Sequence, residues 1–373
     1  MAGSPPDRVM ELLSGRRRGP LADLLRGALT LFSWLYLGVI LVRNALYDSL
    51  PLARRAKRPV ISIGNLTTGG TGKTPLAIHV AHALAERGRR VALLTRGYKG
   101  RPVRYADEDR DAARTAWRVE SDEAMLLKRL CPQAAVHIDP NRARAAQRAI
   151  EQGADVLVLD DGFQHRRLAR DLDLVLIDAL NPFGFGHLLP RGLLREPVRA
   201  LRRADLLVLT RADEISPPDR DRLTTLLHDV SRGRPLLACR HRIVGFVDVK
   251  GRAAPDVDAR AMQAVVFAGI GHFEPFVASV ERLGARVVAA YRYPDHHDYA
   301  DDELAQLPDV AARVDANVIV TTEKDAVKLV GRWRDGPVPL LAARLALEFD
   351  GDDAARLSDA LGAALERSSG RRR

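Results

Sequence analysis

The chain has 373 residues, 46% of them hydrophobic and 28% charged, enough for two α/β units with separate cores. Lys and Arg number 58 against 48 Asp and Glu, a formal net charge of +10. The arginines are spread along the chain without the basic–aromatic interleaving that stacks bases, which argues against a nucleic-acid partner. Cys131 and Cys239 form neither a metal-ligand spacing nor a disulfide framework, which fits a reducing cytosol.

Residues 1–20 are polar, end in Arg16-Arg17-Arg18-Gly19-Pro20, and read as a loose basic arm. Residues 21–50 change character: between Arg26 and Arg43 lies an uncharged run, including Leu29, Leu31, Phe32, Trp34, Leu35, Tyr36, Leu37, Val39, Ile40 and Leu41, that is apolar on every face. At about 1.5 Å per residue its roughly sixteen residues cover about 24 Å of a hydrocarbon core of about 30 Å, so spanning requires Arg26 and Arg43 to snorkel. Basic residues flank both sides, Arg16–Arg18 before and Arg54, Arg55, Lys57 and Arg58 after. They set no orientation and suit a membrane-associating helix in the cytoplasmic leaflet of an anionic membrane. A signal peptide is disfavoured because no small-residue cleavage site follows. A buried core helix is the alternative that length leaves open.

Residues 51–238 read as a nucleotide-binding α/β domain. Its focus is Ile61-Ser62-Ile63-Gly64-Asn65-Leu66-Thr67-Thr68-Gly69-Gly70-Thr71-Gly72-Lys73-Thr74, an apolar strand entering a glycine-rich loop that ends in Gly-Lys-Thr. Backbone N–H groups close round phosphate oxygens only where side chains do not intrude, which accounts for Gly69, Gly70 and Gly72. Thr67 through Thr74 are therefore the ATP-binding candidates, with Lys73 reaching the outer phosphates and Thr74 placing its hydroxyl on Mg²⁺. Thr67 stands where the general P-loop pattern has glycine. A strand at Pro59–Ile63, a helix at Pro75–Arg87 and a buried parallel strand at Val91–Thr95 supply the context the motif needs.

Further along, Arg96-Gly97-Tyr98 forms a strand-end turn on the ligand edge of a parallel sheet. Asp107–Arg114 reads as a charged loop. Ser121 is placed to cap a helix over Ala124–Leu130, next to Asp122 and Glu123. The strand Asp155–Leu159 ends in Asp160-Asp161, and acids at that position hold Mg²⁺ in P-loop proteins; Glu196 is a further metal candidate. Gln164 and His165 follow the acids. Strands at Leu172–Ile177 and Asp205–Leu209 bracket the Gly/Pro-punctuated connection Asn181–Pro197, which contains Arg195. Residues 239–261 read as extended inter-domain strands, and 262–350 as a second α/β domain. That domain has strands at Ala264–Ala268, Arg286–Ala290 and Val318–Thr321 and a helix at Glu274–Leu283. Polar clusters close its strands: His272 after a glycine turn, Asp295-His296-His297, and Glu323-Lys324-Asp325. Residues 351–373 are expected to form a C-terminal helix and tail, with Ser368–Arg373 disordered.

Together these clusters resemble the tetraacyldisaccharide 4′-kinase (lipid A 4′-kinase) family. The likeness runs from the apolar segment to about Phe349 and rests on Gly64–Pro75, Arg96-Gly97-Tyr98, Asp122-Glu123, Asp160 through His165, Leu194-Arg195-Glu196-Pro197, Gly269-Ile270 before His272, Asp295-His296-His297 and Thr322 through Ala326. It carries Ser or Thr at the Thr67 position, as here. The resemblance implies a P-loop kinase of two α/β/α units joined by extended strands behind the membrane-associating helix. It implies ATP and Mg²⁺ as cofactors and an acylated disaccharide lipid as acceptor, met at the cytoplasmic face of a bacterial inner membrane; no protein partner is inferred. It also implies Asp122 as catalytic acid/base, paired with His272 from the other domain when the cleft closes. Arg96, Tyr98, Glu123, Gln164, His165, Arg195, His296, His297, Lys324 and Asp325 are expected at the substrate or along the cleft. Ala124 stands where the family often has proline, and the basic arm and tail are longer. A membrane-associated P-loop ATPase or GTPase switch is the other class the loop serves, although such proteins typically carry lysine at the Thr68 position.

Overall fold

The computed structural model describes residues 5–97, 101–104, 117–254, 257–334 and 336–370. Tyr98 and the charged loop at Asp107–Arg114 lie outside these. The chain divides into two compact units, one of Met1–Arg96, Gln133–Arg240 and Leu347–Arg373, the other of Gly97–Pro132 and His241–Ala346. The unbroken domain expected over 51–238 is thus interrupted, because Gly97–Pro132 belongs to the second unit and the C-terminal residues to the first.

The first unit opens with α1 (Pro5–Ser14), α2 (Pro20–Ser49), β1 (Val60–Asn65), α3 (Lys73–Glu86) and β2 (Val91–Thr95). The second then contributes β3 (Arg101–Arg104), β4 (Trp117–Glu120) and α4 (Asp122–Leu130). The chain returns with β5 (Ala135–Ile138), α5 (Arg142–Glu151), β6 (Val156–Asp160), β7 (Leu172–Asp178), β8 (Leu206–Thr210) and α6 (Pro217–Ser231). The strand β9 (Leu236–Asp248) leads into β10 (Gln263–Ala268), α7 (Phe273–Arg282), β11 (Arg286–Arg292), α8 (Asp301–Arg313), β12 (Val318–Thr322), α9 (Glu323–Leu329) and β13 (Leu340–Phe349), and α10 (Asp353–Gly370) ends the chain.

In the first unit the strands run parallel in the order β5-β2-β6-β1-β7-β8-β9. Burial on both faces makes them continuous apolar runs: every residue of β1, β2, β6, β7 and β8 is buried. Phe163 and Leu66 sit in one core cluster with Val175, Ile177 and Leu209, while Val60, Leu94 and Leu157 anchor another with Ala145 and Ala149. Asp353 at the start of α10 accepts a hydrogen bond from Ala238 N at 2.7 Å, and Arg87 donates to Ser358 O at 2.6 Å. The helix runs through Gly370, so Ser368–Gly370 are helical where disorder was expected.

In the second unit β11, β10, β12 and β13 are parallel neighbours, with Phe267, Tyr299, Leu304 and Leu307 packed on one side and Val266, Phe273 and Val280 on the other. The residues expected as a strand-end loop at Glu323-Lys324-Asp325 form the first turn of α9, because Thr322 caps it by accepting from Asp325 N at 3.1 Å.

Pro5–Ser14, expected as loose arm, is helical and buries Leu13; Arg191 donates to Leu13 O at 2.7 Å. The helix α2, about 45 Å long at 1.5 Å per residue, has a window of mean hydropathy 1.7 and is long and apolar enough to cross a membrane. Of its residues only Ala22, Ser33 and Ile40 are buried, while Leu31, Phe32, Trp34, Leu35, Val39 and Val42 are exposed. It is therefore no core helix.

Candidate active site

Two polar clusters stand out, one in each unit. The first forms where β1 and β6 end. Asn65, the last residue of β1, is fully buried; its side-chain amide donates to Thr71 Oγ1 at 2.8 Å and its carbonyl oxygen accepts from Lys73 Nζ at 3.3 Å. Gly72 takes a left-handed φ of 89° as the N-cap of α3, which points the first N–H groups of that helix into the loop. Gly64 is required by packing: a Cβ there would lie 2.5 Å from Phe163 N. The loop's outer side is braced as well, since Thr210 donates to Thr71 O at 3.1 Å and Arg211 donates to Gly70 O at 3.0 Å while pairing with Asp178 at 3.1 Å. Thr67 and Thr68 are held from the other side, Thr67 bridging Leu194 and Thr68 N donating to Leu193 O at 2.8 Å.

Asp160 is buried at the end of β6, and Asp161 turns out of the strand with φ 53°. Asp161 accepts two bonds of 2.9 Å from Arg195 Nη1 and lies 3.7 Å from Lys73 Nζ. Burial alone would raise its pKa, but the Lys73 and Arg195 charges outweigh it and hold the carboxyl below its usual value. Arg142, at the start of α5, is buried beneath these acids and donates to Asp160 O at 3.3 Å and Asp139 O at 2.9 Å. Burial, with the charges of Arg142, Arg170, Arg167 and Arg43, pushes His165 down to about 4, so its ring is neutral at pH 7. Gln164 donates to Asn65 O at 2.9 Å, and Arg96 is exposed at the end of β2.

Glu196 does not behave as the metal candidate expected from sequence. It is fully buried, and Arg203 grips both oxygens at 2.9 and 3.1 Å while Asn44 donates to Oε2 at 2.8 Å. A carboxylate so satisfied is a structural ion pair. Among the described residues no group of three or more His, Cys, Asp or Glu is arranged to hold a metal unaided. Thr74, Asp160 and Asp161 are hard oxygen donors at the phosphate loop, the chemistry Mg²⁺ accepts when substrate oxygens complete its shell.

The second cluster gathers on α4, α9 and the turn after β11. Ser121 caps α4 by accepting from Ala124 N at 3.3 Å, which sets Asp122 in the first turn. The imidazole that meets Asp122 is His296, with Nδ1 2.7 Å from Oδ2, and not the expected His272. His272 occupies the N-cap position of α7 in this same unit. His296 holds a left-handed φ of 65°, which turns its ring toward α4. Lys328 Nζ lies 3.5 Å from the same Asp122 oxygen and donates to Asp325 at 2.9 Å and His297 O at 3.1 Å. Asp325, itself fully buried, is fixed by Gly269 N at 3.1 Å. Lys324 donates to Asp295 at 2.9 Å and stands 3.4 Å from His296 Nε2. His297 turns away to Glu303 at 2.8 Å and stacks on Tyr293. Glu123, next to Asp122, is half-buried.

Burial alone would raise the Asp122 pKa; the His296 hydrogen bond and the His296, Lys324 and Lys328 charges reverse it, bringing the carboxyl to about 2. Lys324 shows the mirror effect, raised despite burial by Asp295 and Asp122. Lys328 and Arg142 were missed in the sequence. Lys328 falls four residues after Lys324, a spacing that puts both on one face only once α9 is recognised as a helix.

The sequence profile for tetraacyldisaccharide-1-P 4′-kinase matches residues 25–366 of this chain. The tetraacyldisaccharide 4′-kinase of Anaeromyxobacter dehalogenans (strain 2CP-C) is 45% identical over 318 residues, 84% of each chain. That of Anaeromyxobacter sp. (strain Fw109-5) is 43% identical over 359 residues, 95% of each. Among solved structures, LpxK from Aquifex aeolicus in complex with ATP superposes with a TM-score of 0.69 at 29% identity, covering 91% of this chain and 99% of that one.

Proposed function

Because the chain belongs to the tetraacyldisaccharide-1-P 4′-kinase family, we propose that it transfers the γ-phosphate of ATP to the 4′-hydroxyl of a tetraacylated glucosamine disaccharide 1-phosphate, a lipid A precursor, at the cytoplasmic face of a bacterial inner membrane. The observation that carries this reading is the Asp122–His296 pair flanked by Lys324 and Lys328. A nucleotide switch needs a phosphate loop and a water; a kinase also needs a group to receive the acceptor's proton.

In the reaction the 4′-oxygen bonds to the γ-phosphorus, the bond from that phosphorus to the β–γ bridging oxygen breaks, and ADP leaves. The hydroxyl proton passes to Asp122. An alcohol becomes acidic only as the new P–O bond forms, so the acceptor carboxylate must above all be ionised and aimed. Asp122, with its pKa near 2, is ionised throughout the neutral range. Because the ionised carboxylate can only accept, His296 donates from Nδ1 and fixes the carboxylate's orientation.

Lys73 acts on the outer phosphates from the position Asn65 and Asp161 give it. Thr74 with Asp160 or Asp161 would hold Mg²⁺, which would supply further charge neutralisation on the phosphates. The acceptor stays in its bilayer because each buried CH₂ is worth about 0.8 kcal/mol. The exposed apolar face of α2 and the basic residues Arg54, Arg55, Lys57 and Arg58 bring the enzyme to it.

The test is transfer of labelled γ-phosphate from ATP to purified tetraacyl disaccharide 1-phosphate. Wild type labels the lipid and Lys73→Ala does not. ATP hydrolysis that is indifferent to the lipid would replace this reading with the switch.

A further inference from the structure

A helix that only anchors a protein should be apolar wherever it faces lipid and passive toward its own domain. In contrast, α2 presents a polar stripe to the first unit: Ser33, Tyr36, Arg43, Asn44 and Asp48 recur at helical spacing round the buried Ile40. Each of these side chains bonds one of two loops. Ser33 Oγ contacts Leu188 O at 2.9 Å and accepts from Arg191 N at 3.1 Å. Tyr36 donates its phenol to Arg195 O at 2.9 Å, and Asn44 donates to Glu196 at 2.8 Å. On the other loop, Arg43 donates to Gln164 O at 2.6 Å, while Arg166 donates to Asn44 O at 3.1 Å and pairs with Asp48.

Both loops lead directly to the phosphate site. Arg195 N donates to Leu66 O at 2.7 Å, Arg195 Nη1 holds Asp161 at 2.9 Å, and Gln164 donates to Asn65 O at 2.9 Å. One side chain and one backbone bond therefore separate α2 from the strand end that carries Lys73's partner.

We propose that Tyr36 and Asn44 are positioning residues for the ATP site: α2 sets the loop that carries Arg195 and Glu196, and with it the Asp161–Lys73 geometry. The inference rests on the phosphate-loop assignment above and deepens it. It explains why a membrane-associating helix keeps a phenol and an amide on its inward face, where apolar residues would pack at lower desolvation cost.

The experiment uses the full chain in mixed micelles and in anionic vesicles, with Tyr36→Phe, which removes one oxygen, and Asn44→Leu. ATP dissociation constants are measured directly by calorimetry, independently of the transfer assay. Both variants should weaken ATP binding about three- to tenfold and lower kcat about tenfold. The KM for the lipid acceptor and vesicle partition should stay at the wild-type level. The outward-face variant Leu35→Gln should do the reverse, reducing partition and leaving ATP affinity unchanged. A merely structural role would lower the melting temperature without moving the ATP dissociation constant. ATP binding within twofold of wild type in both inward variants overturns the proposal. Loss of wild-type lipid phosphorylation with ATP coupling intact would instead overturn the assigned acceptor and leave this inference standing.

Discussion

Replacing His296 by alanine separates what the imidazole does for Asp122 from what the lysines do. The substitution removes a 2.7 Å charge-assisted hydrogen bond and leaves Lys328 3.5 Å from the same oxygen. Bonds of that kind are worth about 1.5–3 kcal/mol, so the Asp122 pKa should rise by one to two units from about 2, toward its ordinary 3.8. Even then Asp122 is ionised at pH 7, and the loss falls on its aim. General-base catalysis contributes roughly 10²–10⁴; kcat should therefore drop about 10²–10³-fold with the KM for ATP unchanged. The Asp122→Ala, His296→Ala double variant should be little worse than the worse single, since the two act as one unit.

His296→Asn is the informative companion. Its amide nitrogen stands near the position of Nδ1, and asparagine tolerates the φ of 65° at this site better than alanine does. It should recover at least tenfold over alanine. Initial rates in mixed micelles at saturating ATP and acceptor give both numbers. Alanine activity within threefold of wild type would refute the positioning argument. An asparagine variant as poor as alanine would show that the ring itself takes up the proton.

Three further outcomes are expected. Glu196→Ala should destabilise the fold by about 1.5–3 kcal/mol, because it removes the charge-assisted hydrogen bonds it accepts from half-buried Arg203; a lowered melting temperature, rather than altered Mg²⁺ dependence, is the readout. Chelating divalent cations should stop transfer and added Mg²⁺ should restore it, with turnover in excess chelator counting against the metal assignment. Asp122's depressed pKa stabilises the fold above its ordinary 3.8 and loses that contribution as pH falls toward about 2. At about 1.36 kcal/mol per unit this amounts to roughly 2.5 kcal/mol, and Asp122→Asn should flatten the acid limb of a denaturation profile over that window.

The parallel strands were legible because burial on both faces leaves short unbroken apolar runs: Val91–Thr95 was read to the residue, and β1, β6, β7, β8, β10 and β12 to within two at either end. The helix α5 was not legible, since its buried face is made by Arg142 and by alanines (Ala145, Ala146 and Ala149) and not by large apolar side chains. The phosphate loop was legible because its chemistry is local in sequence. The identity of Asp122's partner was not, because the choice between His272 and His296 depends on how the turn after β11 folds, and that turn's left-handed residue is a histidine where a glycine would have signalled it. Glu196 was misread for a related reason: its partners, Asn44 and Arg203, lie on α2 and in a 3₁₀ turn, and neither neighbourhood carries a motif.

The interleaving of the two units governs how the protein is made. Residues 133–240 of the first unit are synthesised after 97–132 of the second, and α10, whose Asp353 accepts from Ala238 N and whose Ser358 accepts from Arg87, emerges only after the second unit is complete. On the ribosome the second unit can close first, while the nucleotide-binding unit waits for the last twenty or so residues, roughly one to four seconds of translation at about 5–20 residues per second. A chain stopped near Phe349 would carry every residue assigned to the chemistry and still lack the helix that seals Leu357, Leu361 and Ala364 into the first core. Vectorial synthesis thus makes C-terminal completeness a checkpoint on an N-terminal site.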